Sequence, residues 1–589
     1  MSSILPANRY RWQALGLAFL LASSLAGEEL FAELQDAGFD FVHFNGASGR
    51  FYMAEINSGG GALFDYDNDG DLDIYVVQGR MLDDQEPSAA TFPPRHPLPL
   101  TDRLYRNDLE TLPDGSRLLR FTDVTAVSGL DSRGYGFGVA AGDFDNDGWV
   151  DLYITRLGSN SLLRNAGRGP DGVVTFVDVT DAAGADDDRW SIPASFADVD
   201  RDGWLDLYVG NYLDFSPDTH KVCRTTTGAQ DYCGPTAYPG VPDRLLRNRG
   251  PGRGEAIRFE DVSASAGLLR QASKSLGVVA ADFNADGLID FYVANDLAPN
   301  QMWIRDSSNP SGPLRFTDDA LLAGSAVNAL GNAEASMGVV AGDFDGDGDD
   351  DLFMTHLVGE TNTLFVNEGE GLFEDATIRS GLGVPSWPHT SWGTAWLDYD
   401  NDGWLDLMVA NGAVKVIEEL ASIGDPYPFH EINQLFRNRG DGTFEEVTEI
   451  AGVAFTRSDV SRALAIGDLD NDGDVDVLVV NNNGPARLLI NQVGQRRHWV
   501  GLRLVGRAGK RDMLGARVAV IRDGKQPLWR QSRTDGSFAA ANDPRILVGL
   551  ADLATPVGVL VVWPDGERES FDGIAVDRYT TLRQGGGAK

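Results

Sequence analysis

Aspartate side chains recur along this chain at a spacing that can hold a divalent cation. The pattern is Asp-x-Asp-x-Asp-Gly-x-x-Asp, with Asn in place of the second Asp in one copy, and an apolar run such as Ile74–Val77 comes directly after it. The pattern occurs seven times. The side chains at positions 1, 3, 5 and 9 of the seven copies are Asp65, Asp67, Asp69 and Asp73; Asp143, Asp145, Asp147 and Asp151; Asp198, Asp200, Asp202 and Asp206; Asp282, Asn284, Asp286 and Asp290; Asp343, Asp345, Asp347 and Asp351; Asp398, Asp400, Asp402 and Asp406; and Asp468, Asp470, Asp472 and Asp476.

Calcium fits this spacing because a hard cation of its size takes about six to eight oxygen ligands in irregular geometry. Carboxylates at positions 1, 3, 5 and 9 and a backbone carbonyl at position 7 can surround one ion, and glycine at position 6 permits the sharp bend. An EF-hand needs a bidentate glutamate at position 12, where this chain has apolar residues such as Val76 and Ile154.

The alternative is a set of aspartate-rich turns that bind no ion, since Asp and Gly favour turns. Four carboxylates within nine residues would repel one another by several kcal/mol without a cation, at roughly 4 kcal/mol per close pair near a protein surface. The sequence therefore predicts up to seven structural Ca²⁺ ions. Asn284 replaces one charged ligand, so we expect the fourth site to bind more weakly.

Short strands must position these loops. A Gly- and Ala-rich apolar segment precedes each loop, as at 138–142, and a Leu-x-Arg-Asn segment follows, as at 104–107. A Phe-led segment ends the repeat, as at 121–129, so each repeat offers four strands, which is one blade of a propeller. The Phe-led segment 31–38 precedes the first loop and is expected to complete the last blade. The predicted fold is an all-β, seven-bladed β-propeller.

With these motifs the chain resembles FG-GAP and VCBS repeat proteins, and its loops resemble those of integrin α-subunit propellers. The order of parts is similar to the cartilage acidic protein family, which pairs such a propeller with a C-terminal ASPIC/UnbV domain. Segments that match that domain are 515–518, 543–545, 549–550 and 563–566. The resemblance predicts a propeller over residues 28–495 and a small β-rich domain over 498–585.

Charge and leader features bound the function. The net charge of −39 would repel nucleic acid and anionic lipid, so neither is an expected partner.

Residues 1–26 have the basic start, short apolar run and small residues of a secretory signal peptide, and no later segment is apolar enough to span a membrane. Cys223 and Cys233, the two cysteines present, are expected to form a disulfide in an oxidising compartment. We expect a secreted or periplasmic monomer.

The surface opposite the calcium loops is the expected binding surface. Three connections there are long, at about 78–102, 211–243 and 411–433. The predicted function is extracellular or periplasmic binding or scaffolding of a protein or glycan. A serine or glycine stands seven residues before each loop, as at Ser58 and Ser191, which suggests either tight packing near the axis or a polar pocket at the channel mouth.

Two alternatives stay open. A lectin-like module would bind carbohydrate through the long connections. An enzyme would assemble its active site from several blades at the channel mouth, with Glu55, Glu334 and His389 as acid and base candidates. The sequence has no local motif of a hydrolase, nucleotide-binding protein or zinc enzyme. An active site assembled from several blades leaves no local signature, so an enzyme stays the main alternative to a binding protein.

Overall fold

A computed structural model describes residues 29–82, 85–225, 228–251, 257–308, 312–507 and 511–589. The predicted signal peptide, residues 1–26, lies outside the described residues. The structure is 39% strand and 9% helix, which confirms the all-β class. None of the helices in the described ranges has the length and apolar character needed to cross a membrane.

Seven antiparallel sheets, each with four main strands, account for most of the strand residues described. In the order from inner to outer strand, sheet 1 is Gly61–Phe64, Asp73–Val76, Arg103–Asn107 and Phe121–Asp123; sheet 2 is Gly136–Gly142, Asp151–Arg156, Ser161–Arg168 and Val174–Asp178; sheet 3 is Ser191–Ala197, Asp206–Asn211, Arg244–Asn248 and Phe259–Asp261; sheet 4 is Ser275–Ala281, Asp290–Asn295, Gln301–Arg305 and Phe316–Asp318; sheet 5 is Val339–Gly342, Asp351–Met354, Thr363–Asn367 and Phe373–Asp375; sheet 6 is Ser391–Leu397, Asp406–Asn411, Gln434–Asn438 and Phe444–Glu446; and sheet 7 is Ser461–Gly467, Asp476–Asn481, Arg487–Asn491 and Phe31–Glu33.

The inner strands lie beside one another in sequence order, and the inner strand of sheet 7 lies beside the inner strand of sheet 1. The outer strand of sheet 7 is Phe31–Glu33, which pairs antiparallel with Arg487–Asn491 so that Phe31 faces Asn491. The chain thus closes the ring by giving its first described strand to its last sheet. This pairing covers an edge that would otherwise expose unpaired backbone groups.

The core lies between neighbouring sheets. Phe64 and Tyr75 of sheet 1 pack with Ile154 and Leu163 of sheet 2, and equivalent clusters fill the other spaces between sheets. Both faces of each inner strand are buried, as the uniformly buried segment Gly136–Gly142 illustrates. Such strands carry continuous apolar runs because neither face meets water.

A smaller C-terminal domain has two further sheets and its own apolar core, which includes Val500, Val518, Val559 and Trp563. The first sheet is Ile546–Ala551, His498–Val505 and Tyr579–Arg583, and the second is Leu528–Gln531, Arg517–Ile521, Val557–Val562 and Arg568–Ile574. The strand Ala540–Ala541 leaves this domain and pairs parallel with Gly61–Phe64 of sheet 1. The two parts are therefore joined through backbone hydrogen bonds.

Helices and two-stranded pairs occur only in connections of the described chain. The helices are α1 (Met53–Asn57), α2 (Thr180–Ala183), α3 (Ser263–Ala266), α4 (Ala320–Ala323), α5 (Gly383–Ser386) and α6 (Glu418–Ser422). The 3₁₀ turns are Pro87–Ala89, Pro217–Thr219, Pro235–Ala237, Leu268–Arg270, Thr448–Ile450, Val453–Thr456 and Gly494–Arg496. The two-stranded pairs are Glu110–Thr111 with Arg117–Leu118, Cys223–Arg224 with Gln230–Asp231, and Glu431–Ile432 with Ser458–Asp459.

Candidate metal centres on the loop face

The seven aspartate loops join the first and second strands of the seven sheets, so they all lie at one end of the ring, here called the loop face. In at least five loops of the described chain the structure brings three aspartate oxygens within 4.8 Å of one another. Four groups use positions 1, 3 and 9 and one uses positions 1, 3 and 5: Asp65, Asp67 and Asp73; Asp143, Asp145 and Asp151; Asp198, Asp200 and Asp206; Asp398, Asp400 and Asp406; and Asp343, Asp345 and Asp347.

The aspartate at position 9 is the most deeply buried of the set. Asp73 is fully buried, and its two oxygens accept backbone hydrogen bonds from Tyr66 and Asn107, both at 2.8 Å. The same pair of bonds recurs in all seven sheets. Burial nevertheless raises the pKa of Asp73 well above its usual value, because two amide dipoles only partly replace the water lost.

The aspartate at position 1 is held by the bend of the loop. Gly148 donates its amide to Asp143 at 2.8 Å, and the glycine at position 6 makes the same bond in five other loops. The glycines at position 6 of all seven loops have positive φ, from 84° to 101°, a region that only glycine enters without strain. The sharp bend predicted at position 6 is present, and it turns the backbone around the carboxylate group.

Without a bound cation, the ionised form of these aspartates is unfavourable. Burial, reinforced by neighbouring carboxylates, raises the pKa of Asp143 and of Asp398 to about 7. Among the described residues, Asp67, Asp198, Asp282 and Asp343 each keep one buried carboxylate oxygen that accepts no hydrogen bond. Buried carboxylate oxygens without a partner, crowded onto other carboxylates, fit a divalent cation because they are the oxygen ligands that calcium takes.

Two sets of asparagines, to which the sequence analysis gave no role, link neighbouring loops and neighbouring sheets. At position 4, Asn68 donates to the carbonyl of Gly148 in the next loop at 2.9 Å, and three more asparagines repeat this bond. Their φ values of 53° to 59° lie in the left-handed region that asparagine tolerates. The asparagine that recurs between the second and third aspartates is the sequence signal from which this bond could have been predicted.

The second set is the asparagine that ends the Leu-x-Arg-Asn segment. Asn165 in sheet 2 is fully buried and donates its side-chain amide to the carbonyl of Tyr66 in sheet 1 at 2.8 Å. Five other sheets repeat this bond to the preceding sheet, and Arg305 donates to Val199 in the remaining one. The motif thus ties each sheet to its neighbour beside the aspartate loop.

The channel mouth at the opposite end is filled. Ser58, Ser191, Ser275, Ser336, Ser391 and Ser461 are all fully buried. Each takes part in a hydrogen bond within the protein, such as that from Ser191 to Asn211 at 2.8 Å. Helix α1 contributes Met53 and Ala54 to a continuous apolar cluster over the axis. The interpretation of these serines as a binding pocket is therefore wrong, because their hydroxyls satisfy polar groups in the crowded centre of the ring.

Glu55, Glu334 and His389 have separate partners. Glu55, in α1, accepts hydrogen bonds from the backbone and hydroxyl of Ser48 at 3.1 and 2.8 Å, and burial raises its pKa to about 7. Glu334 accepts from Asn328 at 2.8 Å, and burial raises its pKa to about 7. Burial lowers the pKa of His389, which lies before sheet 6. Burial causes each shift, and the hydrogen bonds to Glu55 and Glu334 oppose it. Among the described residues, the contacts of these side chains do not join any two of the three.

The three long connections meet over the end of the ring opposite the loop face. Lys415 pairs with Asp231 at 3.1 Å, which joins the connection of sheet 6 to that of sheet 3. The rings of Phe92 and Tyr427 lie 5.2 Å apart and join the connection of sheet 1 to that of sheet 6. The disulfide between Cys223 and Cys233 lies within the sheet 3 connection, as predicted. These segments form a cap over the axis.

Family comparisons agree with this architecture. The model of the FG-GAP-like repeat matches residues 143–209, 282–354, 343–409 and 418–479, and that of ASPIC and UnbV matches residues 506–589. The chain is therefore an FG-GAP repeat protein with a C-terminal ASPIC/UnbV domain. This confirms the family resemblance that the sequence motifs indicated.

Among curated proteins, the chain is related to cartilage acidic protein 1. It is 26% identical to the Homo sapiens protein over 361 residues, which cover 52% of this chain and 51% of that protein. It is 25% identical to the Xenopus tropicalis protein over 333 residues, 48% of this chain and 49% of that protein. The chain thus spans about half the length of the curated relatives it matches.

Among solved structures, the chain is similar to an Agrocybe aegerita lectin, with a TM-score of 0.35. That structure concerns the recognition of non-reducing terminal N-acetylglucosamine by the lectin. It is 16% identical, and the match covers 64% of this chain and 87% of that chain.

Proposed function

We propose that this chain is a seven-bladed propeller stabilised by structural calcium, exported to an oxidising compartment as a monomer, where it binds or scaffolds a partner. The observation that carries the calcium assignment is the convergence of three aspartate oxygens within 4.8 Å in repeated loops. FG-GAP repeats commonly bind calcium. The disulfide supports export, because such bonds persist in oxidising compartments.

Calcium in these loops would act as a folding element and not as a reactant. When bound, it would offset the mutual repulsion of the carboxylates at positions 1, 3, 5 and 9. A site with a Kd of about 10⁻⁴ M contributes about 1.4 kcal/mol at about 1 mM free calcium. All seven such sites together would contribute about 10 kcal/mol, which is comparable to the net stability of many domains, about 5–15 kcal/mol.

The test is a calcium count on the mature protein together with its thermal unfolding in excess calcium, in excess magnesium and in chelator. We expect several calcium ions per chain and a large loss of melting temperature in chelator that magnesium does not restore, since magnesium demands a tighter octahedral site. No bound calcium, or identical melting in calcium and chelator, would refute the assignment.

The cap over the axis is our proposed binding surface for a protein or glycan. Each of its three connections exposes a large apolar side chain: Leu98, Val222 and Ile423 are 58%, 60% and 79% exposed. Exposed apolar groups on a surface pinned by a disulfide and an ion pair suit recognition, because the surface loses little conformational entropy on binding.

A glycan array and a display library of extracellular proteins would identify ligands of the full chain. The triple variant Leu98→Asp, Val222→Asp and Ile423→Asp should then lose binding by more than tenfold with an unchanged melting temperature. Ile521→Asp is the matched control, since Ile521 is exposed on the C-terminal domain. Equal loss in the control, or retained binding in the triple variant, would place the binding surface elsewhere.

A further inference from the structure

One segment of the C-terminal domain enters the central channel of the ring from the loop face. This axial segment, residues 533–543, lies between the strands Leu528–Gln531 and Ile546–Ala551. It contacts the inner strand of every one of the seven sheets. Its hydrogen bonds join Ala539 to Gly61 at 3.3 Å, Thr534 to Ala141 at 2.8 Å, Asp535 to Ser195 at 2.6 Å and to Ala280 at 2.8 Å, Ser537 to Val339 at 2.8 Å and to Thr394 at 3.1 Å, and Asn542 to Ile466 at 3.0 Å.

Phe538 lies at the centre of this segment and is fully buried. Its ring meets that of Trp392 edge-on at 4.7 Å. It belongs to the apolar cluster that also holds Met53 of α1, so side chains from the two ends of the ring meet near the axis. The axial segment thus closes the ring from the loop face.

Around the axis, arginines of the same domain contact the backbone of the aspartate loops. Arg511 donates to the carbonyl of Gly203 at 3.0 Å, Arg530 to that of Gly403 at 3.0 Å, Arg545 to that of Gly70 at 3.4 Å, and Arg517 to that of Gly348. All four acceptors are the glycine at position 6 of a loop. The arginines therefore recognise one repeated backbone feature of the loops.

Position 6 lies between the ligands predicted at positions 5 and 7. The direction of its carbonyl group therefore depends on how the loop surrounds the ion. The same arginines also attract loop carboxylates, as Arg530 attracts those of Asp398 and Asp343. That attraction alone would strengthen when calcium leaves, because the carboxylates would regain their full negative charge. Hydrogen bonds to backbone carbonyls need an ordered loop, and a loop of repelling carboxylates would open. The backbone contacts therefore favour docking onto filled loops.

We propose that the C-terminal domain is an intramolecular partner of the loop face whose docking depends on calcium. Filled loops present their position 6 carbonyls to the arginines, and the axial segment then seals the ring. Emptied loops release the domain while it stays folded. This inference rests on the proposed calcium role, so the calcium content of each sample must be measured separately.

Hydrogen exchange on the full mature chain tests this, read by mass spectrometry with calcium counted in the same samples. The conditions are excess calcium and chelator, for the wild type, the variant Arg511→Met/Arg545→Met, and the control Arg568→Met, which changes an exposed arginine of the same domain. Three regions are compared: the axial segment, the ring strand Asp476–Asn481 and the domain strand Val557–Val562.

In chelator we expect exchange in the axial segment to rise by about tenfold or more, while Val557–Val562 stays protected. The double arginine variant should show the same increase in excess calcium with an unchanged calcium count, whereas Arg568→Met should behave as wild type. If exchange in the ring strand Asp476–Asn481 also rises in chelator, the ring itself has opened. The double arginine variant in excess calcium then tests whether the arginines hold the axial segment.

Calcium-free protein with a protected axial segment would overturn the proposal, as would full protection in the double variant. A chain that binds no calcium in any buffer would refute the calcium role itself. The calcium count therefore separates that failure from a failure of the docking inference.

Discussion

Replacing Phe538 by alanine tests whether the axial segment holds the two parts of the protein together. The side chain is fully buried and contacts Trp392 edge-on. Loss of its apolar contacts costs about 2 kcal/mol, and loss of the aromatic pair about 1 kcal/mol. The cavity left behind brings the expected cost to about 4 kcal/mol, within the usual range of about 3–5 kcal/mol for such a substitution.

The assay is urea unfolding in saturating calcium, followed by tryptophan fluorescence and by circular dichroism. Coincident transitions would permit a two-state analysis, and separate ones would show which part unfolds first. Phe538→Leu is the graded control and should cost less than about 1.5 kcal/mol, because it keeps an apolar side chain of similar volume. If Phe538→Ala unfolds within about 0.5 kcal/mol of the wild type, the axial segment does not stabilise the ring.

Three further perturbations test other parts of the structure. Asn165→Ala should lower the free energy of unfolding by about 1–3 kcal/mol, because the carbonyl of Tyr66 loses its buried donor; no change in urea unfolding would contradict the role of this bond. Asp151→Asn should lower the calcium count by one ion per chain relative to wild type, and an unchanged count would exclude Asp151 as an essential ligand. Glu55→Gln should be more stable relative to wild type at pH 8 than at pH 5: the folded pKa of Glu55 is raised to about 7 by burial, so its contribution is full below about pH 4.5 and is lost as the pH rises through 7. Parallel pH profiles of the two proteins would refute this reasoning.

The ring is predictable from the sequence because its determinants are local. Each aspartate loop fixes a bend, and each bend separates two apolar strands, so the repeat alone locates most of the strands. The Phe-led segment at 31–38 shows what a repeat count adds: a strand without its own loop has to belong to another sheet. Phe31–Glu33 does pair with the last sheet.

Contacts between distant segments were not predictable in the same way. The serines before each loop have a spacing that fits a polar ring, but their burial depends on α1 and on the capping connections. Those connections share no repeat, so nothing in their spacing shows that Lys415 meets Asp231. The arginines of the C-terminal domain likewise reach the loops only through the tertiary fold.

The small residues of the inner strands show how the two halves of the chain constrain each other. A side chain at Gly138 would place its Cβ 2.4 Å from the carbonyl of Ile192 and 3.3 Å from the Cα of Ala539, and one at Gly60 would place it 2.0 Å from the carbonyl of Phe137 and 2.6 Å from that of Ala539. The tightest contact at each glycine is with a neighbouring strand of the ring, and the axial segment adds a further close contact. Glycines at these two places therefore fit both a neighbouring strand and a segment encoded about 400 to 480 residues later, so the ring leaves space at its axis for the domain that follows it in the chain.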